Sequence, residues 1–142
     1  MNPALAFAVF SATLFAAHQI ADHVLGQTDN QASHKADPGL TGWRHILGHV
    51  LAYHLVMAVM VTVTIVALDV PVTATGIAAG LAFSAITHAF IDRRWPVRWL
   101  LEHTGSTPFS RLAGHGINGM YLADQALHYA CLWISALLLA RL

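Results

Sequence analysis

Four stretches of the chain stay apolar long enough to cross a bilayer as helices, at about 3–25, 44–68, 72–94 and 119–141, since a span needs roughly 20 mostly apolar residues. Pro3 suits a first helical turn. Asp69-Val70-Pro71 predicts a tight break between the second and third spans, because proline removes a donor and biases its predecessor away from helix. The connection at about 26–43 is polar, with Pro38-Gly39 and Thr41-Gly42 as turn signals. The connection at about 95–118 opens with Arg93, Arg94, Trp95, Arg98, Trp99, Leu100 and Leu101. Cations, indoles and aliphatics so mixed predict a short helix lying in the headgroup layer. The remainder, through Gly105-Ser106-Thr107-Pro108 and Gly114-His115-Gly116, reads as irregular loop. The expected fold is an all-α membrane protein: an antiparallel four-transmembrane-helix bundle with a short interfacial helix between helices three and four, forming a single integral membrane domain over 1–142.

The polar positions inside these spans are few and regularly placed. Each span carries a pair four residues apart: His18/Asp22, His45/His49, His88/Asp92 and Asp124/His128. Residues so spaced share a helix face. The pairs fall near the end of the first and third spans and near the start of the second and fourth, so an up-down-up-down chain brings all four to one side and one depth. The shared His-x-x-x-Asp ending of spans one and three is a weak internal symmetry.

Composition sharpens the class. The 142 residues are 56% apolar and 10% charged, with a mean hydropathy of +0.57, against roughly 25% charged in soluble domains. No polar stretch is long enough to enclose a core of its own. Net charge is zero, and no basic patch of the size nucleic-acid binding needs is present. Cys131 stands alone and predicts no disulfide. Met1-Asn2-Pro3 lacks a basic leader region, so the first stretch reads as retained. Lys35, Arg44, Arg93, Arg94, Arg98 and Arg111 lie in or beside the long connections, and only Arg141 lies at the other side. By the positive-inside bias both long loops are cytoplasmic and both termini outside.

An aspartate at the centre of a span costs about 2.5–3.5 kcal/mol. Asp22, Asp92 and Asp124 lie nearer the interface, yet still need partners, and no lysine or arginine lies at their depth within the spans. Histidines and a bound cation remain. Imidazole with carboxylate suits zinc, iron or manganese, and helix bundles hold one or two metals with such donors projecting inward. His23 and Gln125 read as supporting groups, as does Tyr53, one turn past His49. His54 reads as a packed or hydrogen-bonded histidine, and His34, His103 and His115 as loop residues. Ala12, Ala16 and Ala17, and Gly76 with Gly80, read as helix-packing positions.

Five short blocks in order carry a resemblance. They are His18-Gln-Ile-Ala-Asp22-His23 with Gln27, Thr28, Asp29, Gln31, Ala32 and Lys35; Gly48-His49-Val50 with Tyr53; His88-Ala-Phe-Ile-Asp92-Arg93-Arg94; Trp99-Leu100 with Thr104-Gly105; and Leu122-Ala-Asp124-Gln125-x-x-His128. Over nearly its whole length the chain resembles the bacterial and phage membrane family called domain of unknown function 3307, in its actinobacterial form. The resemblance supports His18, Asp22, His49, His88, Asp92, Asp124 and His128 as site residues. It implies a small residue where His45 stands, which demotes His45, and an Asp22-to-Gln27 interval one residue shorter than this one. It implies a bacterial-type inner membrane location and names no reaction.

The resulting expectation is a divalent metal site, zinc favoured over iron or manganese, near the cytoplasmic face. Metal-assisted hydrolysis leads, on a lipid or amphipathic substrate whose anionic head would lie beside Trp95, Trp99 and Arg98. One alternative is a membrane regulator or phage/host immunity factor with a structural or sensing metal. Another is a di-iron oxidoreductase, against which the usual multi-histidine boxes are absent. Transport fits poorly because the ionisable groups cluster at one face. Heme ligation leaves three aspartates unexplained. The bilayer, a substrate and a second copy of the chain are the partners considered.

Overall fold

A computed structural model describes residues 2–142. Helix α1, Pro3–Ile20, starts under the Asn2 side chain, which accepts from the Ala4 amide, and runs straight into a π-helical turn at Ala21–Leu25. Helix α2, Asp29–His34, is closed by a reciprocal cap: Thr28 accepts from the Gln31 amide and Gln31 from the Thr28 amide. Helix α3, Gly39–Leu68, follows Pro38 and stops at Asp69, whose φ of 48° ends the helix in the left-handed region. Thr73 caps α4, Ala74–Ile91. Helix α5, Trp95–His103, carries Pro96 in its first turn. The short helix α6, Thr107–Ser110, and an antiparallel pair of two-residue strands, β1 Ala113–Gly114 and β2 Ile117–Asn118, lead to α7, Gly119–Arg141, capped by Asn118.

Four helices, Pro3–Leu25, Gly39–Leu68, Ala74–Ile91 and Gly119–Arg141, are long and apolar enough to cross a membrane. The expected bounds shift where caps rather than hydropathy decide them. The second helix begins at 39 instead of 44, and the third covers 74–91 instead of 72–94. Two connections are more ordered than expected. The first contains α2; the second contains α6 and the β-pair where irregular loop was expected. His34 and His103 therefore close helices instead of lying in loops, while His115 lies at the hairpin turn with φ 51°.

Long helices that touch run in opposite directions. Phe7 meets Trp133 while Gln19 donates to Tyr129, which pairs α1 with α7. Thr13 meets Thr64 while His18 meets Tyr53, which pairs α1 with α3. The buried stripe on α1 is Ala6, Phe10, Leu14, Ala17 and His18; Ala12 and Ala16 face outward, so only Ala17 of the small residues is in the contact. On α3 the inward stripe holds His49, Tyr53, Met57 and Val61, and the outward one Leu51, Leu55, Val59, Val63 and Val66. The outward stripe is of large aliphatics, where a helix on a soluble domain is polar, while the inward stripe mixes His49 and Tyr53 with Met57 and Val61.

The seam between α4 and α7 depends on glycine. A side chain at Gly76 would press on the carbonyls of Leu138 and Leu139, and a Cβ at Gly80 would stand 2.9 Å from Leu139 Cγ and 3.1 Å from the Ser135 carbonyl. Small residues at such a seam let the backbones approach, which is what holds helices together where lipid is as apolar as leucine. Gly80→Leu should lower unfolding stability in detergent by about 1–3 kcal/mol, the usual range for overpacking. Gly114→Ala, whose added methyl meets nothing within 4 Å, should leave it unchanged. Thermal unfolding of both variants followed by circular dichroism checks the contrast.

Candidate metal centre

At one end of the four long helices the buried stripes change from apolar to polar, and His18, Asp22, His49, His88, Asp92, Gln125 and His128 meet there, all buried. Each helix arrives differently. The π-helical turn widens α1 where it carries Asp22 and then presents the Gly26 carbonyl to α3. Gly26 is required there: a side chain would overlap the Ala21 carbonyl and stand 3.3 Å from Tyr53 Cα. Asp92 is the first residue past α4, so its carboxylate reaches the site from the helix end.

Several of these side chains have one polar atom held from outside and the other turned inward. His49 Nδ1 donates to the Gly26 carbonyl at 2.8 Å, which leaves a lone pair on Nε2 when the ring is neutral. Asp22 Oδ2 accepts from Gln125 Nε2 at 3.1 Å, and its Oδ1 has no hydrogen-bond partner. Asp92 Oδ1 accepts from Lys35 Nζ at 2.9 Å, and its Oδ2 is likewise unpartnered. The inward atoms converge. His49 Nε2 lies 2.9 Å from His88 Nε2, 3.2 Å from Asp22 Oδ1 and 3.3 Å from Asp92 Oδ2. His88 Nε2 lies 3.9 Å from Asp22 Oδ1 and 3.4 Å from Asp92 Oδ2. Ligands around a tetrahedral ion with bonds of about 2.0–2.1 Å are about 3.3 Å apart; the 2.9, 3.2 and 3.9 Å separations among Asp22, His49 and His88 bracket that value, so the three could hold an ion. His49 Nε2 and His88 Nε2 are within hydrogen-bond distance, so one ring can donate to the other, and the two unpartnered carboxylate oxygens beside them could hold a metal ion or pair with a protonated ring.

A second grouping overlaps the first. His88, Asp92 and His128 offer donor atoms within 4.8 Å of one another. His128 Nδ1 donates to the Asp124 carbonyl at 2.9 Å, and both His128 Nε2 and His88 Nδ1 are buried without a partner. A third group, His18, Asp22 and His23, meets the same distance limit, but His18 is already engaged at both nitrogens. Its Nε2 donates to Gln125 Oε1 at 3.0 Å and its Nδ1 accepts from Tyr53 Oη at 2.9 Å. Because an amide oxygen can only accept, the whole relay runs one way: Tyr53 to His18 to Gln125 to Asp22.

The remaining expected residues lie at the margin. Asp124 is partly exposed, with Oδ2 3.4 Å from His128 Nδ1, and joins none of the three donor groups. His23 is exposed, 4.0 Å from Asp22 Oδ2. His45 stands apart against the His34 ring. His54 donates to the Val50 carbonyl and accepts from Ser84, a packed histidine as expected. No lysine or arginine of the spans reaches the aspartates, but the inference that only histidines and a bound cation remain is corrected by Lys35, which donates to Asp92 from outside the spans. Lys35 comes from the first connection, and hydropathy counts it with the loop. The Thr28/Gln31 cap, which folds that connection back, was the available sign.

Beside the donors lies a polar cavity of about 510 Å³, lined among others by Asp22, Asp124 and Gln125 and by Lys35, Arg94, Arg98 and Arg111. Asp22 thus touches both the donor cluster and this chamber.

The chain matches no curated protein and no solved structure. Residues 10–141, a range that includes every donor described above, match the family described as protein of unknown function (DUF3307), and the chain belongs to that family.

Proposed function

We propose that the chain is a single integral membrane domain, an antiparallel four-helix bundle with α5 in the headgroup layer, that holds a divalent metal ion between Asp22, His49 and His88. Both long connections face the cytoplasm and both termini face out. The observation that carries the metal reading is the set of unpartnered inward atoms, Asp22 Oδ1 and Asp92 Oδ2, against His49 Nε2 and His88 Nε2, while Gln125, Lys35 and the Gly26 carbonyl hold the outer atoms of Asp22, Asp92 and His49. Zinc suits two imidazoles and a carboxylate at these separations; iron and manganese accept the same donors.

The chemistry favoured is hydrolysis. Catalytic zinc sites keep three protein ligands and one open position, and Asp22 lines a chamber large enough for water and a substrate group. When bound, such an ion activates water and polarises an anionic oxygen. Asp124, facing the chamber outside the donor groups, is the carboxylate free to accept a proton from water. A second reading, a structural or sensing metal in a membrane regulator, is favoured by Asp92 Oδ2: its 3.3 and 3.4 Å approach to the two histidines offers a fourth ligand that would close the site.

Elemental mass spectrometry on detergent-purified protein should find about one divalent ion per chain, lost in His88→Ala/Asp92→Ala. Parent protein that is metal-free after chelator-free purification, and takes up none on reloading, sinks the metal reading and leaves a proton-linked polar core. Removing the metal then separates the two roles: protein that keeps its helicity favours catalysis, and protein that unfolds favours structure. Gln125→Leu should keep the metal but weaken it by about 10–100-fold, the usual effect of removing a group that orients a ligand; chelator competition measures it.

Orientation has its own test. In a Cys131→Ser background, a membrane-impermeant maleimide should label Asp69→Cys on intact spheroplasts, and Ser33→Cys and Gly105→Cys only after permeabilisation. The opposite pattern overturns the orientation.

A further inference from the structure

The chain has seven lysines and arginines, and four of them, Lys35, Arg94, Arg98 and Arg111, line the polar cavity beside the donor cluster. Their use differs. Lys35 is paired with Asp92. Arg94, Arg98 and Arg111 have no carboxylate within 4.0 Å among the described residues. Neighbouring Arg93 makes the contrast plain. It donates to the carbonyls of Lys35 and Asp37 and lies over the Trp43 ring, so it ties the first connection down and stays off the cavity lining.

Arg94 is held at some conformational cost. Its φ of 62° lies where L residues are disfavoured and glycine is at ease. Its guanidinium donates to the Ala32 carbonyl of α2, which fixes it at the cavity. Arg98 follows four residues later and lines the same chamber. Trp95 and Trp99, shifted one position along, line a different space: an apolar groove of about 480 Å³ shared with Phe90, Leu127 and Cys131. Helix α5 therefore separates a cationic chamber from an apolar channel.

We propose that the cationic chamber binds a phosphoryl group, as a phosphate mono- or diester anion, through Arg94, Arg98 and Arg111. Planar guanidinium forks match the oxygens of phosphate, and unpaired arginines around a pocket are the usual means of holding it. The anion sits next to Asp22, so this inference names the substrate class of the proposed metal centre and rests on that reading for its catalytic meaning. The same chemistry is presented by free phosphate and by a phospholipid head, and in the second case the Trp95/Trp99 groove takes the tail.

Calorimetric titration of the full chain in a phosphate-free maltoside detergent tests this, with inorganic phosphate and dihexanoyl phosphatidic acid as probes and dihexanoyl phosphatidylcholine as the zwitterionic control. Arg98→Gln/Arg111→Gln should weaken binding at least tenfold, and Arg98→Lys/Arg111→Lys should recover part of the loss, with metal content and thermal midpoint unchanged. Equal, arginine-dependent affinity for both anionic probes identifies a phosphate site; tight binding of phosphatidic acid alone identifies a lipid head. No binding of either anion, or binding indifferent to the arginines, overturns the proposal. Metal analysis of the same preparations keeps the two readings apart: metal present without arginine-dependent binding removes only the anion site, and arginine-dependent binding to protein that cannot be loaded removes only the metal.

Discussion

A carboxylate placed among apolar helices demands a cation, and Asp22 and Asp92 impose that demand at the point where all four long helices meet. Each answers half of it with protein. Gln125 occupies one oxygen of Asp22 and Lys35 one oxygen of Asp92. The other two oxygens turn toward His49 and His88, whose nearest nitrogens lie only 2.9 Å apart. The surrounding structure serves this convergence. The π-helical turn offers a carbonyl to His49, the Tyr53–His18–Gln125 relay orients Asp22, and the fold-back of α2 delivers Lys35. In a layer where apolar burial gives little preference between helices, such a polar knot fixes which faces meet and in what register.

The spans are legible in the sequence because hydropathy over about 20 residues is an additive property that tertiary contacts do not alter. The polar pairs are legible for a related reason: in an apolar helix a His or Asp stands out, and its spacing of four fixes a shared face. His49, Asp22, His88 and Asp92 follow from that alone. Helix starts are less legible, since α3 begins after Pro38 in a stretch whose hydropathy is ordinary for a loop.

What escapes the sequence is long-range. Nothing local distinguishes Lys35, which reaches Asp92 across 57 positions, from the other cations of the connections. The engagement of both His18 nitrogens is equally invisible, because Tyr53 and Gln125 approach from two other helices. The π-helical turn at Ala21–Leu25 has no local signal either, although it sets where Asp22 and the Gly26 carbonyl stand.

Asp22 is the residue through which the buried cluster communicates with the outside. Asp92 and His49 are sealed by Lys35 and by backbone, whereas Asp22 borders the chamber that holds Arg94, Arg98 and Arg111. A purely structural centre has no need of an arginine-lined approach, and a simple anion site has no need of a buried carboxylate cluster beside it. Their adjacency gives each feature a purpose that neither has alone. On the proposed reading, the arginines draw an anionic group in beside the carboxylates that hold the metal. The strained backbone at Arg94 borders the chamber, and the close approach that demands glycine at position 26 brings a carbonyl to His49, so the two backbone constraints flank Asp22 from the chamber and from the donor cluster.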